Sequence, residues 1–451
     1  MGASVAQARS ARQPPLEHMA SAADQRDDSH VRDRPRIRFP GSMGAMRATP
    51  YYAIWGLLIY AWVGNYLIRM ALGALLPPIM TELALSYAEA GFLSTAFFYA
   101  YMAMQFPAGV LGDRFGRKRT LITGLVLGAL AAVATGFAGS FVALFLARLL
   151  TGISQGFLFS NDRVIIAATT PKSKMALGQG ISFSGAGLGT TLGLLLAGAL
   201  GVVVPWRSVF ILFALPPLLA AVLIGRLVPE PPRHAAVADP AWPFRRVLRT
   251  RDFWLLGVTG VMPVYVQFVL ATWAPLFFAE LGVADLGRSA ALASLQGVPA
   301  PFGLFFSGLL ADRFHRRGLP RKLIIAATLL LTALSVSGMG LVLHTHGPAW
   351  LLILTMLGAS FFFWCAWGPA YAILGELFPA SLLGKAFGLY NTTCFLGAIA
   401  GPVVTGMIRD VTGSFAAALL VAGLLSVGSV VTALALRPVS REAADRFLAA
   451  G

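Results

Sequence analysis

The stretch GVLGDRFGRKR at residues 109–119 lies between two apolar segments and returns in altered form as GLLADRFHRR at residues 308–317. In both copies a glycine is followed four residues later by Asp-Arg-Phe and a basic cluster. The repetition indicates a chain built from two duplicated halves. In each copy the acid can pair with an arginine four residues on, so we expect the pairs Asp113–Arg117 and Asp312–Arg316 at equivalent turns.

The composition is that of a membrane protein. Of 451 residues, 57% are hydrophobic and 12% are charged, about half the charged fraction of a soluble domain. Apolar runs of about 20 residues can each cross a bilayer core, and they must be helical because no water is present there to satisfy the backbone. The sequence predicts an all-α membrane protein with two pseudo-symmetric bundles of six transmembrane helices. The predicted helices are 52–80, 87–111, 120–138, 141–169, 176–204, 206–227, 252–280, 288–311, 322–343, 347–376, 383–408 and 414–436.

The domain organisation follows from these helices. The proline-rich and basic stretch 228–251 is the natural linker between the halves 51–227 and 252–436. Residues 1–50 are polar and lack the apolar core of a signal peptide, which predicts a disordered cytoplasmic tail. A second short tail is expected at 437–451.

The positive charges that give the chain its net charge of +16 are not spread evenly along the sequence. Lys and Arg fall in alternate loops, which predicts that both termini are cytoplasmic in a bacterial-type inner membrane. This pattern accounts for the charge without a nucleic-acid partner. The two cysteines, Cys365 and Cys394, have no metal-ligand spacing, and no phosphate-binding glycine loop is present. We therefore expect no cofactor and no enzymatic activity.

Arg69 is the most informative single residue. It lies in the middle of the first predicted helix with apolar turns on both sides. A charge at that depth is costly and normally faces a polar cavity or a partner. Snorkelling to the interface suits residues nearer a helix end. We expect Arg69 to bind substrate.

The repeated motif resembles the cytoplasmic loop signature of the major facilitator superfamily. Tyr66-Leu67-Ile68-Arg69 and the later Pro77 resemble the first helix of its organophosphate and organic-anion branches. The resemblance implies a twelve-helix transporter in which Arg69 contacts an anionic group. This chain departs from the pattern at Ile68 and Gln155, where many proton symporters carry acids, and at Gln267, where organophosphate carriers have a second arginine.

The fourth predicted helix carries further charges. Arg148 and Gln155 share one helical face; Arg148 either lines the cavity or makes a structural bond to backbone carbonyls. Asp162 and Arg163 lie toward the cytoplasmic end, where they form an inner gate or lie among lipid headgroups. Because the acids of the membrane segments all lie near predicted helix ends, the cavity is expected to be cationic and to lack a deep carboxylate.

Other polar and aromatic residues are candidates for the cavity wall. The predicted pocket set is Tyr66, Tyr101, Gln105, Tyr265, Gln267, Gln296, Trp364, Trp367, Tyr371 and Asn391. For the aromatic members, ordinary packing remains the alternative. In the gate, Arg114 belongs to the first motif copy. Glu376 and Lys385 are expected to pair with Arg313 or Arg316.

These observations predict a secondary transporter that takes up a small organic anion, such as a carboxylate, by alternating access. A proton travels with the anion or a counter-anion replaces it, and each chain functions as a monomer in the lipid bilayer. The alternatives are an organophosphate or anion exchanger, a proton-coupled exporter of drugs or metabolites, and a membrane sensor on the same scaffold. An exporter would need a deep acid, and a sensor would need a signalling domain.

Overall fold

The computed structural model of the protein describes residues 49–171, 175–231, 245–378 and 380–437. The predicted tails therefore lie almost entirely outside the described residues, as do positions 232–244 of the predicted linker. Inside the helices, the side chains of Asp312 and Lys385 are also outside the description. The expected pair Asp312–Arg316 and the expected role of Lys385 stay predictions for this reason.

The described residues form sixteen α-helices. They are α1 (Tyr51–Leu83), α2 (Tyr87–Phe115), α3 (Arg117–Gly136), α4 (Phe141–Thr169), α5 (Met175–Val203), α6 (Trp206–Leu212), α7 (Leu215–Leu227), α8 (Arg245–Arg249), α9 (Arg251–Glu280), α10 (Leu286–Ser294), α11 (Pro299–Arg316), α12 (Lys322–His344), α13 (Ala349–Cys365), α14 (Trp367–Leu377), α15 (Ala380–Thr412) and α16 (Phe415–Leu434).

These helices make up the twelve expected membrane crossings. Eleven spans in the described ranges are long and apolar enough to cross a membrane, and α2, with 29 residues, occupies the remaining predicted position. The sixth, eighth and tenth predicted helices are each divided, into α6/α7, α10/α11 and α13/α14. A proline lies close to each division: Pro216, Pro299 and Pro369, respectively. The helix is interrupted there because proline has no N–H to donate to the preceding turn.

Packing within each half joins helices distant in sequence. In the first half α1 packs along α5, and α4 packs against both α2 and α3; in the second, α9 packs along α15 and α12 along α16. Between the halves, α2 contacts α15, α5 contacts α10 and α1 contacts α9. A site at mid-membrane between α1, α2 and α9 therefore borders both halves.

The molecule has two distinct ends. We call the end with the turns around residues 114–119 and 313–322 the basic end, and the end with the turns around 84–86, 282–285 and 413–414 the opposite end. At the opposite end the halves touch backbone to backbone. A Cβ added to Gly406 of α15 would lie 2.2 Å from the carbonyl oxygen of Tyr87 in α2, and one on Gly91 would lie 2.6 Å from that of Pro402.

An acid from the second half also caps a helix of the first half at this end. The carboxylate of Asp410 accepts hydrogen bonds from the backbone N–H groups of Tyr87, at 3.0 Å, and Ala88, at 2.8 Å. The first N–H groups of a helix have no partner within the helix and carry partial positive charge. Asp410 therefore holds the start of α2 against the end of α15.

Candidate functional site

Arg69 lies in α1 between the two halves and is almost completely buried, with 6% of its surface exposed. Its Nη1 donates a hydrogen bond to the hydroxyl of Tyr66 at 3.3 Å. Aromatic rings from both halves surround the guanidinium, with centroids 4.5–5.9 Å from its central carbon: Phe97, Phe268, Phe98, Tyr66 and Tyr101. The electron-rich ring faces offset part of the cost of removing this cation from water.

The aromatic rings do not satisfy the guanidinium's hydrogen bonds. Nε and Nη2 of Arg69 are buried and have no hydrogen-bond partner among the described residues. Buried polar groups of proteins are nearly always bonded, and each exception calls for an explanation such as a ligand or water. Arg69 therefore presents two unused donors at the centre of the protein.

Arg148 brings a second cation to the same place. Its side chain, 2% exposed, extends from α4 to the carbonyl oxygen of Ile68 at the long distance of 3.5 Å. Its Nε has no partner among the described residues, and its guanidinium lies 5.8 Å from the Phe97 ring that also contacts Arg69. Both alternatives for Arg148 thus have support: it contacts backbone and it lines the cavity.

The cavity between the two arginines is narrow. Its volume of about 20 Å³ has room for about one water molecule. The polar side chains on its wall besides the arginines are Ser94 of α2 and Thr272 of α9. Any molecule larger than water therefore needs the halves to separate further than they do in this conformation.

Below Arg148, α4 continues to bind α1 through polar side chains. Gln155 donates from Nε2 to the carbonyl oxygen of Asn65 at 2.8 Å. One carboxylate oxygen of Asp162 accepts a hydrogen bond from Nε1 of Trp62 at 2.7 Å. The polar side chains on this predicted face of α4 thus bond to α1, and the amide N–H of Gln155 is used in one of these bonds.

Asp162 is buried between helices. The sequence placed it near the cytoplasmic end, at a gate or among headgroups, and its depth in the membrane stays a prediction. The side chain is 1% exposed and contacts Trp62, which lies seven residues before Arg69 on α1, while the adjacent Asn161 bonds to Arg117 of the basic end. Arg163 Nε lies 3.6 Å from the other carboxylate oxygen of Asp162.

The predicted residues of α9 and the eighth span have other neighbours. Phe268, next to the predicted Gln267, is the α9 residue that packs on Arg69; Gln267 itself is half-buried. The backbone carbonyl of Tyr265, whose side chain is buried, lies against Gly401 in α15. Gln296 donates to the carbonyl oxygens of Leu270 and Ala293, so it joins the break in the eighth span to α9.

In the second half, three predicted pocket residues come together. The rings of Trp367 and Tyr371 lie 5.5 Å apart, and the Tyr371 hydroxyl donates to Oδ1 of Asn391 at 3.5 Å. Trp364 instead packs against Gly303 of α11. In the first half, Tyr101 is buried in the aromatic group around Arg69, and Gln105 lies one turn further along α2, half-buried.

Sequence reasoning missed the phenylalanines that surround the site. Phe97, Phe98 and Phe268 contact Arg69, and Phe395 of α15 packs on Phe98 and Tyr101. Because most phenylalanines of a membrane protein contact lipid or other helices, residue type alone gave no signal. The usable signal was spacing: Phe97 and Phe98 lie one turn before Tyr101, a residue already predicted for the pocket.

At the basic end, the first motif copy forms a bonded turn. Asp113 pairs with Arg117, as expected, and Arg117 also donates to Oδ1 of Asn161 on α4 at 3.3 Å. Arg114 is exposed. Glu230, at the start of the predicted linker, accepts a hydrogen bond from the backbone N–H of Lys118 at 3.0 Å. The turn is thereby joined to α4 and to the linker.

The second motif copy is arranged differently. Glu376 of α14 forms an ion pair with Arg321, where the sequence predicted Arg313 or Arg316; both of these arginines are exposed. Arg321 lies directly before α12, and Lys322 binds the carbonyl oxygens of Leu434 and Leu436 at the end of α16. Arg321 and Lys322, which follow the motif, therefore bind this end of the second half to α14 and α16.

The sequence profile described as Major Facilitator Superfamily matches residues 58–402 and 284–451. The chain belongs to this superfamily. The fold and the transporter class predicted from the sequence are thereby confirmed, and the chain is not an enzyme. The D-xylose-proton symporter structure, a member of the same fold, aligns with a TM-score of 0.73 at 18% identity over 86% of this chain and 98% of that one.

Relatives of this superfamily member carry organic anions. The hexuronate transporter of Bacillus subtilis (strain 168) is 27% identical over 85% of this chain and 94% of its own length. The probable sulfoacetate transporter SauU of Cupriavidus necator is 28% identical over 84% and 93%. The resemblance to the organic-anion branch that the sequence suggested is therefore confirmed at the level of the family.

Proposed function

We propose that this protein takes up a small organic anion, a carboxylate in the simplest case, by alternating access, with Arg69 as the residue that binds the acid group. The observation that carries the proposal is the buried guanidinium of Arg69 with two donors left unbonded among the described residues. A carboxylate accepts two parallel N–H bonds from one guanidinium. Hydrogen bonds to charged groups contribute about 1.5–3 kcal/mol each.

Arg148 supports the same class of substrate. Two cations that border one cavity repel each other and together attract a negative charge. In this proposal the anion lies between them and offsets the repulsion, while Tyr101, Gln105, Gln267 and the Trp367–Tyr371–Asn391 group meet the rest of the molecule. The relatives named for hexuronate and sulfoacetate, both organic acids, support an anion over a neutral sugar.

Alternating access requires the two halves, about 51–227 and 252–436, to move against each other as units. We propose that the opposite end opens when the basic end closes, with the pairs Asp113–Arg117 and Arg321–Glu376 each moving together with its own half. The basic loops support cytoplasmic termini in a bacterial-type inner membrane, and one chain, holding a complete pathway, is the proposed working unit. Gln267 in place of a second arginine disfavours an organophosphate exchanger.

The test is transport by purified protein in proteoliposomes. Liposomes preloaded with unlabelled glucuronate, glucarate or sulfoacetate are diluted into the labelled acid at equal pH on both sides, and exchange is followed. We expect exchange of at least one acid, its loss in Arg69→Gln, and partial recovery in Arg69→Lys, which keeps the charge but not the paired donors. Arg288→Gln, which removes an exposed arginine of the opposite end, is the matched control.

Thermal shift with the same acids separates binding from turnover. The acids should raise the melting temperature of the wild type and of Arg288→Gln, but not that of Arg69→Gln. Full exchange by Arg69→Gln, or transport of a neutral sugar in preference to all the acids, would contradict the proposal.

A further inference from the structure

We infer that Asp162 binds the proton that is transported together with the anion, so that the protein is a proton symporter whose coupling carboxylate lies on α4. The inference rests on the proposed transport of an organic anion. It begins from the burial of Asp162, which is 1% exposed in a segment that crosses the membrane. An acid inside a membrane span is costly, and the acids found there commonly carry protons.

The position of Asp162 relates it directly to the anion site. Its carboxylate bonds to Trp62, and seven residues along α1, about 10 Å at 1.5 Å per residue, lies Arg69. The Trp62 and Tyr66 rings are 5.9 Å apart, and the Tyr66 hydroxyl accepts the hydrogen bond from Arg69. A short line of contacting side chains therefore joins the carboxylate to the guanidinium that receives the anion.

Charged and titratable groups approach Asp162 from several helices in the described part of the chain. On its own helix, Arg163 Nε lies 3.6 Å from the carboxylate. From α1 it faces Trp62, which does not titrate, with Tyr66 beyond it, and from α2 the hydroxyl of Tyr101 lies within electrostatic range. From α3, Arg117 bonds to Asn161, the residue before Asp162, and the sequence of α5 from Met175 to Val203 contains no titratable residue. Among these groups, Asp162 is the one carboxylic acid.

Repulsion between the anion and Asp162 gives the proton a role. An anion that binds at Arg69 adds a negative charge about 10 Å along α1 from the one that Asp162 carries, and two like charges repel each other in a low dielectric. A proton on Asp162 removes its charge, and with it this repulsion, without removing the side chain. Anion and proton then favour each other's binding, which is the thermodynamic condition for symport.

The decisive variant is Asp162→Asn, because the amide keeps an oxygen that can accept from Trp62 but cannot take up a proton. The probe is the fastest-exchanged acid of the three named above. Two assays are compared in proteoliposomes: exchange at equal pH, and accumulation driven by an inward proton gradient of one pH unit, which allows about ten-fold accumulation for one proton per monoanion. A fluorescent pH dye inside the liposomes reports proton entry.

We expect the wild type to perform both reactions and to acidify the lumen when the acid is added. Asp162→Asn should keep exchange, lose the accumulation and lose the acidification. Asp285→Asn, which neutralises an exposed acid that caps α10 and leaves a side chain able to cap it equally well, should retain both reactions. This pattern would show that Asp162 serves proton coupling and not anion binding. Arg69→Gln, in contrast, is expected to lose anion binding altogether.

Two results would overturn the inference while leaving the proposed function intact. One is a wild type that exchanges the acid but does not acidify the lumen during net uptake, and the other is gradient-driven accumulation by Asp162→Asn. A folded Asp162→Asn that loses exchange as well would also overturn it, because the residue would then be structural. If the variant does not fold, Trp62→Phe decides, since it removes the indole donor from the carboxylate and should change the pH at which uptake is half-maximal. An unchanged pH profile would reject the role of Asp162. Absence of exchange by the wild type with all three acids would instead reject the proposed function.

Discussion

At the opposite end of the molecule several described contacts join the two halves, beside ion pairs within one half such as Arg207–Glu82 and Arg409–Glu280. The ion pairs described at the basic end join residues of one half. The first group contains Asp410 bonded to the start of α2, and the Tyr87 ring, which packs 5.5 Å from Phe415 and 5.9 Å from Trp273. The second contains Asp113 with Arg117 in the first half and Arg321 with Glu376 in the second.

Under the proposed alternating access, this difference predicts which contacts break during transport. Contacts across the halves change when the halves rock, while contacts within one half can move with it as a unit. The opposite end also uses backbone contact at glycine, which leaves no room for a side chain. We expect substitutions there to change the balance between conformations, and substitutions of the basic-end pairs to act mainly on the stability of one half.

The largest effect is expected for Gly406→Ala. Its Cβ would lie 2.2 Å from the carbonyl oxygen of Tyr87, a backbone atom that cannot rotate away. The opposite end should therefore fail to close, and transport should be lost. The measurement uses a variant without its native cysteines in which Ser94→Cys places a thiol on the cavity wall. When Gly406→Ala is added to this variant, labelling of the thiol by a membrane-impermeant maleimide from the opposite end should increase strongly.

Gly388→Ala is the matched control for this experiment. Gly388 lies on the same helix, and a Cβ added to it would have no atom within 4 Å. It should leave labelling and transport near the wild-type values. Equal labelling in the two alanine variants would show that the contact of Gly406 with α2 does not hold the opposite end closed.

A smaller effect is expected for Asp410→Ala. The carboxylate is exposed, and an exposed cap of this kind contributes on the order of 1 kcal/mol. Its loss should shift the equilibrium toward the open opposite end by about five-fold, measured as the rate of maleimide labelling at Ser94→Cys. Asp410→Asn keeps a hydrogen-bond acceptor but not the charge, and its labelling rate should fall between those of the wild type and Asp410→Ala. If Asp410→Ala is labelled at the wild-type rate, the free energy that keeps the opposite end closed comes from other contacts.

How much of the fold and of the candidate site could be predicted from the sequence depends on whether a feature involves one helix or several. The helices were predictable because each apolar run needs only its own residues to identify it, and Arg69 stood out as a lone charge within one run. The phenylalanines around it were not predictable, since their role depends on which helix faces them. The partner of Asp162 was not predictable for the same reason: Trp62 belongs to another helix. Asp410 was overlooked because an acid at a helix end ordinarily faces water.

The smallest effect is expected at the basic end, for Glu376→Gln and Arg321→Gln. The pair lies partly exposed, and such ion pairs contribute under about 1 kcal/mol. Because both partners belong to the second half, neither variant should change labelling at Ser94→Cys, although each can lower the melting temperature by about one degree. A double-mutant cycle on melting temperature measures the pair itself. If either substitution instead increases labelling from the opposite end as much as Asp410→Ala does, the pair is coupled to the movement of the halves, and the distinction between the two ends fails.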